Sequence, residues 1–321
     1  MKPLLNPNNR ADITGGIRGA FTASLLATLQ ENVESPLANY FDLIAGTSTG
    51  GIIATALAMD IPTNTIRDFY SEYGSKVFGR PTNIVARLLG PKHNLRLLES
   101  ALKEVLGERI LNEANHRLIV PSIDLIKGQT VTFKTPHLPG MVRDRWFPAF
   151  QVSLATAAPT YFQPYSIQEG SLYTDGGLWA NNPSIVSYAE AIRINRDCQR
   201  DCDPHFTPDD ICLLSIGTGS FPYYVNPGTK GAGLIFWSSR FLDVTSGAQS
   251  QGADFVAGFF VKKEQYSRIN FQLPDSSWGL DASDKLGDLM HRGRERAFET
   301  LAQIKTLFLT ETAIPYVPFD N

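Results

Sequence analysis

Apolar residues along the chain fall into short blocks separated by longer stretches with helical spacing. FDLIAG (41–46), RLIVPSIDL (117–125), TVTFKT (130–135) and DICLLSIGTG (210–219) are short apolar runs that predict buried strands, the middle two as neighbours, with a further strand at 267–273. SLYTDGG (171–177) predicts a strand end and a turn. Helical spacing predicts helices over 19–32, over 50–60 ending before Pro62, over 63–78, and over 94–107 with Asn94 as cap. Others are predicted over 151–159 stopped at Pro159 and over 182–195 with Pro183 in the first turn, followed by a long helical tract near 231–260 and a helix near 283–309. Strands that alternate with helices point to an α/β sheet covered by helices. No repeat or linker divides the chain, so 1–321 reads as one domain. The irregular, aromatic stretch from about 220 reads as a C-terminal elaboration of it.

With 43% hydrophobic and 19% charged residues the 321-residue chain has the composition of a globular protein able to bury a large core. A net charge of −3 gives no reason to expect duplex nucleic acid as a partner, while a local basic pocket for a small nucleotide stays open. Cys198, Cys202 and Cys212 match neither zinc nor redox spacing and read as reduced thiols of a cytoplasmic protein. No apolar run approaches the ~20 residues that span a bilayer, and MKPLLNPNNRADIT lacks the apolar region of a signal peptide. A membrane would therefore be met peripherally, at its inner surface.

Three short motifs carry candidate chemistry. Gly46-Thr47-Ser48-Thr49-Gly50 fits G-x-S-x-G, with a predicted strand before it and a predicted helix after it. A nucleophile on so sharp a turn needs glycines where side chains would collide, and it ends at a helix N-terminus that favours negative charge. Thr14-Gly15-Gly16-Ile17-Arg18-Gly19 precedes another helix. Its peptide N–H groups can point at an oxyanion, although a phosphate-cradling or merely tight turn reads the same way; the spacing fits neither a dinucleotide fingerprint nor a Walker loop. Tyr173-Thr174-Asp175-Gly176-Gly177 offers a carboxylate on a bare turn, which can take a serine proton directly if it reaches Ser48. An Asp-Gly-Gly turn by itself is more often only a turn.

Taken in order, Gly-Gly-Ile-Arg-Gly, Gly-Thr-Ser-Thr-Gly and Asp-Gly-Gly resemble the patatin-like phospholipase family. Ala157-Ala158-Pro159-Thr160-Tyr161-Phe162 and Asn181-Asn182-Pro183 strengthen the likeness, which covers roughly 12–220. The resemblance implies a three-layer α/β/α sheet with helices on both faces and a Ser-Asp dyad with no metal and no cofactor. It implies Ser48 as nucleophile, Asp175 as base, Gly176 and Gly177 as the acid's turn, and Gly15, Gly16, Ile17 and Arg18 as the oxyanion hole. The elbow's Gly46, Thr47, Thr49 and Gly50 complete the set. Family members open with an apolar strand and Asp-Gly-Gly-Gly; here Asn9-Arg10-Ala11-Asp12-Ile13-Thr14 precedes Gly15, with Thr14 in place of a glycine, so either the first strand is weak or this N-terminus differs from that of an intact protein, and an atypical oxyanion turn is expected. Phe133-Lys134-Thr135-Pro136-His137 is also similar to a segment of patatin-like effectors of anti-phage signalling, which implies membrane phospholipid as substrate and a cyclic di- or trinucleotide as activator.

Rival readings remain at this point. A Ser-His-Asp triad would need one of His93, His116, His137, His205 or His291, of which His137 has the most suggestive context. Leu234-Ile235-Phe236-Trp237, Phe241-Leu242, Phe255 and Phe259-Phe260 read first as core or a dimer contact, with an acyl channel or lipid contact as the alternative. Lys262-Lys263 and Arg292, Arg294 and Arg296 read as solvated faces that can also meet phosphates. A housekeeping lysophospholipase or esterase, a non-enzymatic storage or scaffold protein, and a homo-oligomer all stay open.

Overall fold

The computed structural model describes residues 10–13, 16–78, 95–156, 163–197, 206–220, 241–275, 277–279 and 281–319. Its seven strands form one sheet. These are β1 (Arg10–Ile13), β2 (Leu43–Gly46), β3 (Arg117–Asp124), β4 (Gln129–Lys134), β5 (Tyr173–Asp175), β6 (Leu213–Ile216) and β7 (Tyr266–Ile269). The order is β4-β3-β2-β1-β6-β7, with β5 also paired to β3. β1, β2, β3, β6 and β7 run parallel, while β4 and β5 run antiparallel to β3.

Strand periodicity of two sends alternate side chains to opposite faces. In β2, Ile44 joins the large core on one face, while Leu43 and Ala45 join a second cluster with Ile119 and Ile194 on the other. In β6, Leu214 and Ile216 face the large core and Leu213 faces a third cluster with Ala191, Ala257 and Val261. The large core is closed by α1 (Gly19–Gln30), α2 (Thr49–Ala58), α3 (Thr63–Phe78), α4 (Leu95–Leu106), α5 (Ala149–Ala155) and α9 (Leu286–Phe308). The opposite face is covered by α7 (Ser184–Asp197) and α8 (Phe241–Phe260), with the single turn α6 (Gly177–Ala180) leading into α7. The sheet therefore lies between two helical layers, as expected.

The helix α1 is buried on nearly all sides. Two glycines set how closely its neighbours approach: a Cβ on Gly19 would lie 2.5 Å from the Tyr70 hydroxyl oxygen, and one on Gly293 of α9 would lie 2.2 Å from the Phe21 carbonyl oxygen. The C-terminal region is thus part of the packing of the central layer, through α9 against α1 and β7 beside β6.

The first strand departs from its expectation. Despite Arg10 and Asp12, β1 lies in the middle of the sheet, paired from Arg10↔Leu43 to Ile13↔Gly46 on one edge and by Ala11↔Leu214 and Asp12↔Ser215 on the other. Ladder hydrogen bonds are made by the backbone, so pairing on two edges holds a strand whose side-chain pattern is poor. The Asp-Gly-Gly turn also differs: the chain passes from β5 into α6 within two residues. The caps and helix ends predicted at Asn94 and Pro159, and the aromatic run 234–237, lie outside the described residues.

Candidate active site

Pairing geometry brings the serine and the aspartate together. The first half of β3 pairs with β2, from Leu43↔Arg117 to Ala45↔Ile119. Its second half pairs with β5, from Ser122↔Asp175 to Asp124↔Tyr173. Because Ser122, Ile123 and Asp124 also pair with β4, β5 occupies the edge of β3 that β2 has vacated. The antiparallel β5 therefore runs toward the C-terminal end of β2 and delivers Asp175 where Gly46 leads to Ser48.

Ser48 sits at φ 60° and ψ −131°, a backbone conformation that costs a non-glycine residue about 1–3 kcal/mol. Its side chain is at the N-terminus of α2, where the Thr49 and Gly50 N–H groups come before the first intrahelical bonds, which Gly51 and Ile52 make to the Ser48 carbonyl. Gly46 is indispensable for this turn, since a Cβ there would lie 2.1 Å from the Gly50 carbonyl oxygen. The second close approach falls one residue beyond the sequence motif: a Cβ on Gly51 would lie 2.6 Å from Cγ2 of Thr156. The variable positions of the motif also have work. The Thr47 hydroxyl donates to the Ala180 carbonyl oxygen (2.6 Å), tying the elbow to the turn after the aspartate. The Thr49 carbonyl accepts the Tyr70 hydroxyl at 3.4 Å.

Asp175 and Ser48 are both buried, and the Ser48 side chain lies close enough to the Asp175 carboxyl to favour its charged form. The Gly177 N–H donates to Asp175 Oδ1 at 2.6 Å. Burial pushes the carboxyl up to about 7, against the opposing pull of the Gly177 N–H and the nearby Ser48 side chain. A carboxylate with that affinity can hold a proton during part of a reaction at neutral pH and then return it. Gly176 lets this turn rest on β3, since its Cβ would lie 2.3 Å from the Pro121 carbonyl oxygen.

The glycine turn is described from Gly16 onward; Thr14 and Gly15 lie outside the described residues. Gly16 adopts φ 57°, a conformation open to glycine at low cost. Ile17 is fully buried and packs against Gly74 of α3, and Arg18 Nη1 reaches the Gly219 carbonyl oxygen at 3.4 Å. The turn is thus pinned to α3 and to the loop after β6, ahead of α1.

The three described histidines are partnered elsewhere. His137 is buried with Nε2 3.0 Å from Glu190 Oε1 and Nδ1 3.0 Å from the Thr135 hydroxyl. Lys134 also pairs with Glu190. Burial disfavours the Glu190 charge, but the hydrogen bonds of His137 and Lys134 outweigh it and hold the carboxyl down at about 2. Burial lowers the His137 imidazole below its ordinary value. This is a buried polar network between β4 and α7. Replacing His137 by alanine should cost on the order of 3 kcal/mol in urea unfolding by stripping Glu190 of a partner, with the kcat of the folded fraction unchanged. A folded His137→Ala protein without activity would restore the triad reading. His116 pairs with Asp60 at 2.8 Å and His291 with Glu295 at 3.2 Å; His93 and His205 lie outside the described residues.

Other sequence candidates also fall away from the dyad. Phe255, Phe259 and Phe260 are 68%, 73% and 56% exposed, so the core reading fails for them. They stand on the last turns of α8, with Phe255 edge-on to Phe259 and Phe260 stacked on Tyr188. Helical periodicity identified their shared face but carries no information on whether another element covers it. Lys262 pairs with Asp209, Arg296 pairs with Glu299, Arg292 lies over Trp278 and Phe271, and Arg294 lies over Phe298. Among the described residues no cluster of three or more His, Cys, Asp or Glu is arranged for a metal, and no helix is long and apolar enough to cross a membrane. Cys212 is a buried free thiol.

Residues 15–186 match the family model for patatin-like phospholipases, a span that includes the glycine turn, the elbow and the acid. The chain belongs to the patatin-like phospholipase family. The resemblance read from the motifs is borne out, and with it a hydrolase of the serine type. This patatin-like phospholipase is 30% identical over 280 residues to a cGAMP-activated phospholipase of Pseudomonas aeruginosa, an alignment covering 85% of this chain and 80% of the relative. It is 30% identical over 328 residues to a cGAMP-activated phospholipase of Vibrio cholerae, covering 91% of each. A potato relative, described as probable inactive patatin-3-Kuras 1, is 29% identical over 279 residues, covering 75% of this chain and 71% of the relative.

Proposed function

We propose that this phospholipase cleaves fatty-acyl esters of membrane phospholipids through a Ser48–Asp175 dyad and is switched on by a cyclic nucleotide. The observation that carries the dyad is the pairing of a strained, buried Ser48 with a carboxylate raised to about 7. Asp175 takes the proton from Ser48 Oγ as that oxygen attacks the ester carbonyl carbon. The oxyanion is met by N–H groups of the Gly15–Arg18 turn and of the α2 N-terminus. Collapse expels the alcohol, which leaves as lysophospholipid with the proton from Asp175. Water then gives a proton to Asp175 and attacks the acyl-Ser48 ester; the fatty acid departs and the proton returns to Ser48 Oγ.

The cyclic nucleotide is supported by the names of the Pseudomonas and Vibrio relatives, each described as cGAMP-activated and aligned over most of this chain. With it comes the wider reading: a single domain over 1–321, cytoplasmic, acting peripherally on the inner membrane surface in anti-phage defence. The test is to incubate the purified chain with phospholipid vesicles and a panel of cyclic di- and trinucleotides, and to identify products by mass spectrometry. Release of fatty acid and lysophospholipid that rises with one nucleotide is the expected result. Equal release in every arm removes the switch and leaves the hydrolase; no release in any arm rejects both.

A further inference from the structure

Thr156 falls in no sequence motif, yet it joins the two halves of the site. It follows α5 and is fully buried. Its hydroxyl accepts the Ser48 backbone N–H at 3.0 Å and donates to the Pro121 carbonyl oxygen at 2.7 Å. The polarity is fixed, because a backbone N–H can only donate and a carbonyl can only accept. Pro121 lies on β3 next to Ser122, the partner of Asp175, and its carbonyl is the atom against which Gly176 rests. Ser122 lies at the same junction, its hydroxyl oxygen 2.6 and 2.7 Å from the Ala155 and Thr174 carbonyl oxygens, which share its single proton. The Thr156 methyl in turn packs where only glycine fits, at Gly51 of α2.

We infer that Thr156 is a positioning residue for the hydrolysis: its hydroxyl sets the Ser48 backbone against the strand that carries Asp175. The inference rests on Ser48 acting as nucleophile. Two consequences follow from the geometry. The strained Ser48 turn is held from outside by a hydrogen bond, which is how a costly backbone conformation persists. The Ser48 N–H is also committed to Thr156, so the oxyanion must draw on the N–H groups that follow it in α2 and on the glycine turn. No threonine-to-hydrophobe exchange preserves both bonds, since valine copies the shape but leaves a buried donor and a buried acceptor unpaired.

The test uses the full chain and a short soluble p-nitrophenyl ester, comparing Thr156→Ser, Thr156→Cys and Thr156→Val with Ser48→Ala as control. Misplacing a reacting group by a fraction of its contact distance costs up to about 100-fold, so Thr156→Val should lose roughly 10- to 100-fold in kcat with KM within about 3-fold. Thr156→Ser keeps both bonds and should stay within about 3-fold of wild type. Thr156→Cys, a weaker donor and acceptor of similar size, should fall between them, and it carries the test if the valine variant does not fold. In every folded variant the acid limb of the pH–rate profile should keep its wild-type position, because the Asp175 carboxylate is left in place. Wild-type kcat in the valine or cysteine variant, or a serine variant as impaired as these, overturns the inference while leaving the dyad. Activity retained by Ser48→Ala overturns both.

Discussion

Replacing Ser48 by alanine should lower ester hydrolysis by roughly 10⁴-fold or more, because without the oxygen nucleophile only binding and oxyanion stabilisation remain. The loss should appear in kcat and kcat/KM alike, and with both a soluble ester and phospholipid vesicles, since the acyl-enzyme is common to both. Folding should survive. Ser48 occupies φ 60°, and alanine bears the same backbone strain as serine, while the Thr156 bond is made by the backbone N–H and is kept. A Ser48→Ala protein that melts with wild-type cooperativity and releases no product is the expected outcome. Substantial turnover would move the nucleophile to another residue.

Replacing Asp175 by asparagine should separate activity from stability. Activity should drop by about 10³- to 10⁴-fold, the scale of a lost general base. Stability should change in the opposite sense at neutral and alkaline pH. In the folded protein the Asp175 carboxyl is raised from 3.8 to about 7, chiefly by burial, so the folded state binds more protons than the unfolded state between those values. Stability from this group is full below about 4 and is lost as pH rises through about 7; the shift corresponds to on the order of 4 kcal/mol above that window. Asparagine carries no charge to desolvate, and its Oδ1 can still accept the Gly177 N–H. Thermal melts should therefore place Asp175→Asn above wild type at pH 8, with the difference shrinking to nothing near pH 4. A variant less stable than wild type at pH 8 would mean that the carboxylate is a structural anchor.

The elements that position the site were legible because their signals are local. The helix over 63–78 is predicted and observed with the same bounds, and the strand–Ser48–helix succession follows from FDLIAG and the glycines alone. What joins distant segments was not legible. Periodicity shows that 173–175 is a strand end, but not that β5 occupies the edge β2 leaves free, which brings Asp175 to Ser48. The β1 stretch looked weak because its hydrophobic pattern is poor, while its stability as a strand comes from neighbours on both edges. Thr156 carried no signal, because a buried threonine after a short helix is ordinary until its two partners are known. Gly51 stood beside the motif and could have been found by asking which glycine lets α2 approach its surroundings closely.

The proposed activation of Ser48 runs through Asp175 alone. Its most direct measurement is the pH dependence of fluorophosphonate labelling, with the modified residue mapped by mass spectrometry in wild type, Asp175→Asn and His137→Ala. The expected result is a label on Ser48 whose rate rises through about pH 7 as Asp175 gives up its proton, lost in Asp175→Asn and retained in folded His137→Ala. A label on Ser48 that survives in Asp175→Asn and vanishes in His137→Ala would contradict it.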